Sequence, residues 1–269
     1  MSAAVDCHEV AVEIGGTPIL LRTQNAAFRE LLERRYRAFL REPDTEGFAL
    51  DVELLPEEGP VTDHEELLVR REGERWQLVR GDFRADWDEQ LGRGTVVQTL
   101  SPFAIDSVLR ILHSLIQAPR GGFLLHGASV IRNRRSFLFS GVSGAGKTTI
   151  SSLAPPDVTL LTDEISYVRQ EGGKFVAWGT PFAGELARPG ENETAPIAQL
   201  FFLAQGPENR IDPIPTRDAL RMLLRNILFF ADDSKLVEMV FRSACEFLSR
   251  VPAARLTFLP DARVWELIQ

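Results

Sequence analysis

Residues 137–168 read FLFSGVSGAGKTTISSLAPPDVTLLTDEISYV, and few stretches restrict a fold so tightly. GVSGAGKT, 141–148, fits the pattern G-x-x-x-x-G-K-[ST]. With ordinary residue usage a chain of this length would contain that pattern by chance about 0.01 times. SFLFSG before it is a credible strand and KTTISSL after it a credible helix start. That order of strand, Gly-rich turn and helix belongs to α/β folds, in which backbone amides of the turn face phosphate oxygens. Glycines let the amides approach without a Cβ in the way, and the helix start adds a favourable dipole. On this reading Gly141, Ser143, Gly144, Ala145, Gly146, Lys147, Thr148 and Thr149 cradle a nucleotide. Lys147 reaches the outer phosphates and the Thr148 hydroxyl ligates Mg²⁺.

Asp163 lies sixteen residues beyond Lys147, at the end of the next apolar run, with Glu164 beside it. So short a connection predicts that loop and acids share one end of the strands, facing one phosphate pocket. A carboxylate there can ligate Mg²⁺ or accept a proton from an attacking hydroxyl. Strict strand alternation would send the two acids to opposite sides, so Asp163 leads as base and metal ligand and Glu164 follows as metal ligand. Neither N-K-x-D, which reads guanine, nor the L-S-G-G-Q signature of transporter ATPases occurs.

The rest of the chain bounds the function. Its 269 residues allow one large domain or two smaller ones, and 44% hydrophobic with 25% charged residues is a globular composition. A net charge of −8 argues against nonspecific binding of nucleic acid or an anionic membrane, which draws its affinity from a basic face. No apolar run reaches the roughly 18 residues of a membrane span, and the start lacks a signal-peptide core. Two distant cysteines, Cys7 and Cys245, imply no disulfide framework, so a reducing cytoplasm is expected.

Residues 9–22 predict two strands about Gly15-Gly16, 24–41 a helix and 48–56 a strand. Residues 66–71 and 75–87 predict antiparallel strands. These form a small α+β module, 1–95, a docking surface or lid. The stretch 88–103 reads as the boundary. Ser101 and Pro102 then open a helix whose apolar stripe includes Phe103, Ile105, Val108, Leu109 and Leu112, with His113 on its surface. The catalytic region, 100–269, alternates strands and helices: a hairpin about 133–135, the loop and short helix, strands near 158–164, 165–178 and 198–205, helices near 216–230 and 233–250, then a strand and a closing helix.

His126 ends the run GFLLHG one strand before the Gly-rich loop. Alone it reads as a satisfied core histidine. The combination LLHGASVIRNRRSFLFSGVSGAGKTTISSL…TLLTDEISYV, however, resembles HPr kinase/phosphorylase and its short kinase-like relatives over about residues 120–170. There an HG dipeptide, a hairpin, a Gly-rich loop and an acidic pair follow in the same order. The resemblance implies a P-loop kinase domain with a mixed sheet. Lys147 and Thr148 would hold ATP and Mg²⁺, Asp163 would be the base toward an acceptor hydroxyl, and Glu164 would stand near the metal where the family has Asp. His126 would lie beside the base and tune it. It also implies a homo-oligomer. The family's substrate-contacting C-terminal segment has no counterpart here; WGTPFAGELARPGE stands in its place, which leaves open phosphorolysis and HPr as acceptor.

The resulting expectation is Mg-ATP-dependent transfer of a phosphoryl group to a hydroxyl, serine foremost, of a protein, peptide or small molecule. The alternatives are a phosphorylase or carboxykinase-like phosphotransferase, and a nucleotide-gated scaffold that docks partners through residues 1–90. Secondary candidates are the turn 179–186 with Glu185 as a metal ligand, Arg188 for a phosphate, and Arg132, Arg134 and Arg135 for an acidic partner. Each also reads as ordinary turn or surface chemistry.

Overall fold

A computed structural model describes residues 7–43, 47–55, 66–184 and 189–269. The chain divides into two compact units, Met1–Leu112 with Phe230–Asp233, and His113–Phe229 with Ser234–Gln269.

The first unit is a seven-stranded mixed sheet. Its strands are β1 (His8–Ile14), β2 (Thr17–Thr23), β3 (Phe48–Leu54), β4 (Leu68–Glu72), β5 (Arg75–Arg80), β6 (Phe83–Asp88) and β7 (Arg93–Gln98), in the order β1-β2-β3-β7-β6-β5-β4. β2, β3 and β7 run parallel and the other pairs antiparallel. Residues alternate across the sheet, so Ile19, Leu21, Leu50, Val52, Leu78, Ala85 and Val96 share a buried face. Helix α1 (Ala26–Arg35) is capped by the Asn25 side chain, which accepts from the Phe28 amide, and it buries Phe28 and Leu32. The stretch read as a boundary thus contains β7, a central strand. Its start hides from a sequence reading because Gly94 looks like a breaker. In fact a Cβ there would stand 2.6 Å from the Asp86 carbonyl oxygen, so the glycine serves close packing.

Helix α2 (Pro102–Gln117) opens as expected, with the Phe103 amide donating to Ser101 Oγ at 3.2 Å. The division between the units falls inside it. In its first half Asp106, 2% exposed, accepts two bonds from Arg35 Nε at 2.9 and 3.0 Å and one from the Tyr36 hydroxyl at 2.6 Å. Burial, then the neighbouring Asp106, pushes the Tyr36 phenol well above its usual range. Phe103 is a correction: it is 66% exposed and lies 5.3 Å under the Arg35 guanidinium.

The second unit is built on β8 (Phe123–Arg132) and β9 (Arg135–Ser140), an antiparallel hairpin whose turn places Asn133 and Arg134 at φ 52° and 61°. There follow α3 (Lys147–Ser152), β10 (Thr159–Thr162), β11 (Ile165–Glu171), β12 (Lys174–Trp178), β13 (Thr194–Gln205), β14 (Arg210–Pro213), α4 (Thr216–Asn226), β15 (Ile227–Leu228), α5 (Ser234–Arg250) and β16 (Ala253–Phe258). A 3-10 turn over Ala262–Leu267 closes the chain where a helix was expected. β9 lies between β8, antiparallel, and β13, parallel; β13 also pairs with β16 in parallel, and β14 edges β16. The helix expected near 216–230 ends early because Ile227 and Leu228 pair with Leu125 and Leu124 of β8.

The centre of β9, Phe137–Phe139, is apolar on successive residues because both its faces are covered. Phe137 and Phe139 pack with Ile150 of α3, Phe201, Phe258 and Trp265. Leu138 packs on the other side with Leu200, Phe202, Leu223 of α4 and Phe247 of α5.

His113 is the second correction. Helical spacing placed it on the surface, yet it is fully buried, its ring edge-on to Tyr167 at 5.4 Å with Nδ1 3.4 Å from the phenol oxygen. The Gln117 amide donates to the same phenol. Burial, and then the charge of Arg120, lower the His113 pKa to about 3. An unfolded histidine titrates near 6.5, so between these values the unfolded chain binds the extra proton and stability falls as pH drops. We expect the unfolding free energy to fall by about 2 kcal/mol between pH 7 and pH 5 from this group alone. Urea titrations of wild type and His113→Gln at both pH values check this, the variant showing the shallower decline.

Candidate active site

The Gly-rich loop leaves the sheet at the end of β9, where Ser140 pairs with Gly127 of β8 and its hydroxyl donates to the His126 carbonyl at 2.8 Å. The loop is braced from within. The Ala145 amide donates to the Val142 carbonyl at 3.1 Å, and Gln205 Nε2 donates to the Gly144 carbonyl at 2.7 Å. Gly146, at φ 108°, is required twice over: the conformation is one that side chains avoid, and a Cβ would stand 2.6 Å from Phe258 Cζ. Lys147 is buried, with Nζ 3.2 Å from the Gly141 carbonyl and 3.4 Å from that of Val142. Ser143 and Gly144 at the tip are exposed, Thr148 and Thr149 half-buried. The loop thus offers an inward cation and an accessible backbone, a donor set that fits a polyphosphate.

Across β8 stands the acid pair. β10 and β11 pair with β8 one after the other on the same side, Thr162 opposite Ser129 and Ile165 opposite His126. Between them Asp163 and Glu164 form a bend, and the Gly127 amide donates to the Glu164 carbonyl at 2.9 Å. The bend has a local cause. Thr162 Oγ1 accepts from the amides of both Glu164 and Ile165 at 3.2 Å, a side-chain turn that competes with regular strand geometry. The strict alternation expected of these acids therefore does not apply. Asp163 is 3% exposed and accepts the Gly184 amide at Oδ1, 2.9 Å away; Glu164 is half-buried.

Loop, histidine and acids consequently lie at one level of the sheet. Gly127 of β8 pairs with Ser140 on one side and bonds Glu164 on the other. Two interstrand steps, about 10 Å, separate the strand carrying the loop from the acid pair. His126, half-buried, is the residue of β8 next to that crossing. Thr162 was missed by sequence reading; Thr180 and Gly184 lie in the turn 179–186 that it singled out, but without their tie to the acids. A threonine directly before an acid pair and a bend was the available sign.

Other expectations fare differently. Arg132 binds Asp157 and the carbonyls of Trp265 and Ile268, and Arg135 binds that of Gln269, so two of the three hairpin arginines secure the last residues of the chain. Glu185 and Arg188 lie outside the described residues. Among the described residues no group of three or more His, Cys, Asp or Glu is placed to hold a metal ion. A cavity of about 730 Å³ in the first unit, lined by Arg22, Asn25, Asp51, Glu53 and Thr95 among others, contains none of the candidate residues. Its one arginine is engaged by Glu9 and Asp51.

The family model described as "SynChlorMet cassette protein ScmC" matches residues 95–269, and the chain belongs to that family. No curated protein matches the chain. Among solved structures, the Hpr(Ser) kinase/phosphatase from Coxiella burnetii aligns over 44% of this chain and 87% of its own at 10% identity and a TM-score of 0.26. At that score the likeness carries no weight for fold or chemistry.

The Gly146 geometry makes a direct prediction. Gly146→Ala should lower stability by about 2–3 kcal/mol, from backbone strain plus the clash with Phe258. Urea denaturation of the folded variant beside wild type measures it, and an unchanged midpoint would refute the role given to this glycine.

Proposed function

We propose that this member of the ScmC family is a Mg-ATP-dependent phosphotransferase. It moves the γ-phosphoryl group to a hydroxyl, serine foremost, of a protein, peptide or small molecule. The observation that supports this best is the alignment at Gly127: a phosphate-type loop on one side of β8 and a buried, amide-bound carboxylate on the other. A transferase needs those two groups at one end of the sheet, with room between them for the phosphates, and little else by way of covalent chemistry.

In this reading Lys147 and the amides of Gly141–Thr149 hold the phosphates. Thr148 with Glu164 and Asp163 would hold Mg²⁺, a ligand set of one hydroxyl and two carboxylates that suits a cation usually completed by phosphate oxygens and water. Bound there, the metal supplies charge neutralisation at the phosphate oxygens. Asp163 takes the proton of the attacking hydroxyl as the new O–P bond forms and the bond from the γ-phosphorus to the β–γ bridging oxygen breaks, releasing ADP. Its burial keeps competing water away, and the Gly184 amide fixes its orientation. His126 steadies the same crossing from β8. The chain's excess of acid speaks for a neutral or cationic acceptor rather than nucleic acid. Among the described residues no helix is long and apolar enough to cross a membrane.

Transfer from γ-labelled ATP with Mg²⁺ to a panel of serine-bearing peptides and small molecules tests the reading. Asp163→Asn should lower kcat by about 10²–10⁴-fold while ATP binding persists. Lys147→Ala should weaken ATP binding by about 10- to 100-fold, the loss of a charge-assisted contact. Tight ATP binding without any labelled product, from peptide or water, would overturn it in favour of a nucleotide-gated binding protein.

A further inference from the structure

The segment between β12 and β13 does more than join strands. The Gly179 amide donates to the Glu193 carbonyl at 2.9 Å, Thr180 to Leu161 at 3.1 Å, Gly190 to Thr180 at 3.3 Å and Glu191 to Leu160 at 2.9 Å. Thr180 and Glu191 thereby bond directly to the backbone of β10. Thr180 and Phe182 are fully buried. Thr180 Oγ1 donates to the Ile165 carbonyl at 2.9 Å and sits 3.2 Å from Thr162 Oγ1. Thr162 Oγ1 already accepts two amides and a hydroxyl has two acceptor sites. The proton shared between the hydroxyls is therefore Thr162's, and the small network closes with each hydroxyl donating once.

Two residues past Phe182, the Gly184 amide meets Asp163 Oδ1. A Cβ on Gly184 would stand 3.0 Å from Asp163 Oδ2 and 3.0 Å from Glu164 Cβ. Both carboxylate oxygens of the candidate base thus abut one glycine, and the backbone on either side of the acids is tied to one threonine.

We propose that Thr180 and Gly184 are positioning residues for the phosphoryl transfer, fixing the Asp163–Glu164 bend. The inference rests on the phosphotransferase reading above. Thr180 acts through Thr162 and the Ile165 carbonyl, which hold the bend; Gly184 acts on the carboxylate itself. Among the described residues neither hydrogen-bonds to the nucleotide loop, so their effect falls on the base and the metal ligands and not on metal-free nucleotide affinity. A displacement of a base by about 1 Å can lower a rate by about 10²-fold, and a methyl group 3.0 Å from a carboxylate oxygen enforces a shift of a few tenths of an ångström or more.

The test uses γ-labelled ATP and Mg²⁺, with the serine panel and water as acceptors, on wild type, Thr180→Val, Thr180→Ser and Gly184→Ala. ATP affinity is measured separately by calorimetry without Mg²⁺. Thr180→Val and Gly184→Ala should lower kcat by about 10- to 100-fold with little change in ATP affinity. Thr180→Ser, which keeps the hydroxyl, should recover most of the rate. Unchanged kcat in folded Gly184→Ala and Thr180→Val, a Thr180→Ser variant as slow as Thr180→Val, or a parallel loss of ATP affinity would each overturn the inference and leave the phosphotransferase reading standing. A wild type that binds ATP yet labels neither acceptor nor water would instead remove that reading, and this inference with it. Should Thr180→Val fail to fold, Gly184→Ala and Thr180→Ser still decide.

Discussion

The second unit depends on β8. Its ten residues pair on one side with β10 and then β11, and on the other with β9 and then β15. Each handover occurs near Gly127. β9 leaves the sheet there because the Gly-rich loop begins, and β10 gives way to β11 there because Thr162 turns the backbone. A strand with neighbours on both sides and cores on both faces cannot slide by one residue without moving every side chain to the wrong face. The register that places loop and acids at one level is thus held by the whole hydrophobic interior, with Leu125 and Val130 fully buried on either side of the crossing.

Around that rigid strand the polar groups are few and mostly satisfied. Thr162, Asp163 and Thr180 are all buried, and the hydrogen bonds they make run to backbone groups and to each other. Burying such groups without partners costs on the order of 1–3 kcal/mol each, so the closed network lets a carboxylate sit in a water-poor place at modest cost. In the first unit Asp106 follows the same logic through Arg35 and Tyr36. There the paired charge ties α1 to the start of α2, a structural use of a buried carboxylate.

Legibility followed the range of the interactions involved. The loop was readable because its demands are local: glycines, a lysine and a threonine in fixed succession between a strand and a helix. The hairpin of β8 and β9 was readable from Asn133 and its neighbours for the same reason. His113 was misplaced because helical spacing gives an angle around an axis but does not say what lies opposite, and Tyr167, fifty-four residues away, is what covers it. β7 was hidden because Gly94 fills a contact with a strand that precedes it in the chain. Thr180 and Gly184 carry no sign of their tie to Thr162 and Asp163 in their own neighbourhood.

The sequence by itself therefore determined the α/β class of the second unit, the position of the Gly-rich loop between a strand and a helix, and the candidacy of Asp163 and Glu164. Each of these is set by backbone conformation and by chemistry within a few residues. Only the tertiary structure decided that the acids form a bend, that the bend stands across β8 from the loop, and that a distant glycine grips the carboxylate. Those facts come from strand register and from backbone groups meeting across long stretches of chain. Such pairings leave no mark on local spacing, because what selects them is the joint burial of two apolar faces and the need to satisfy every polar group left between them.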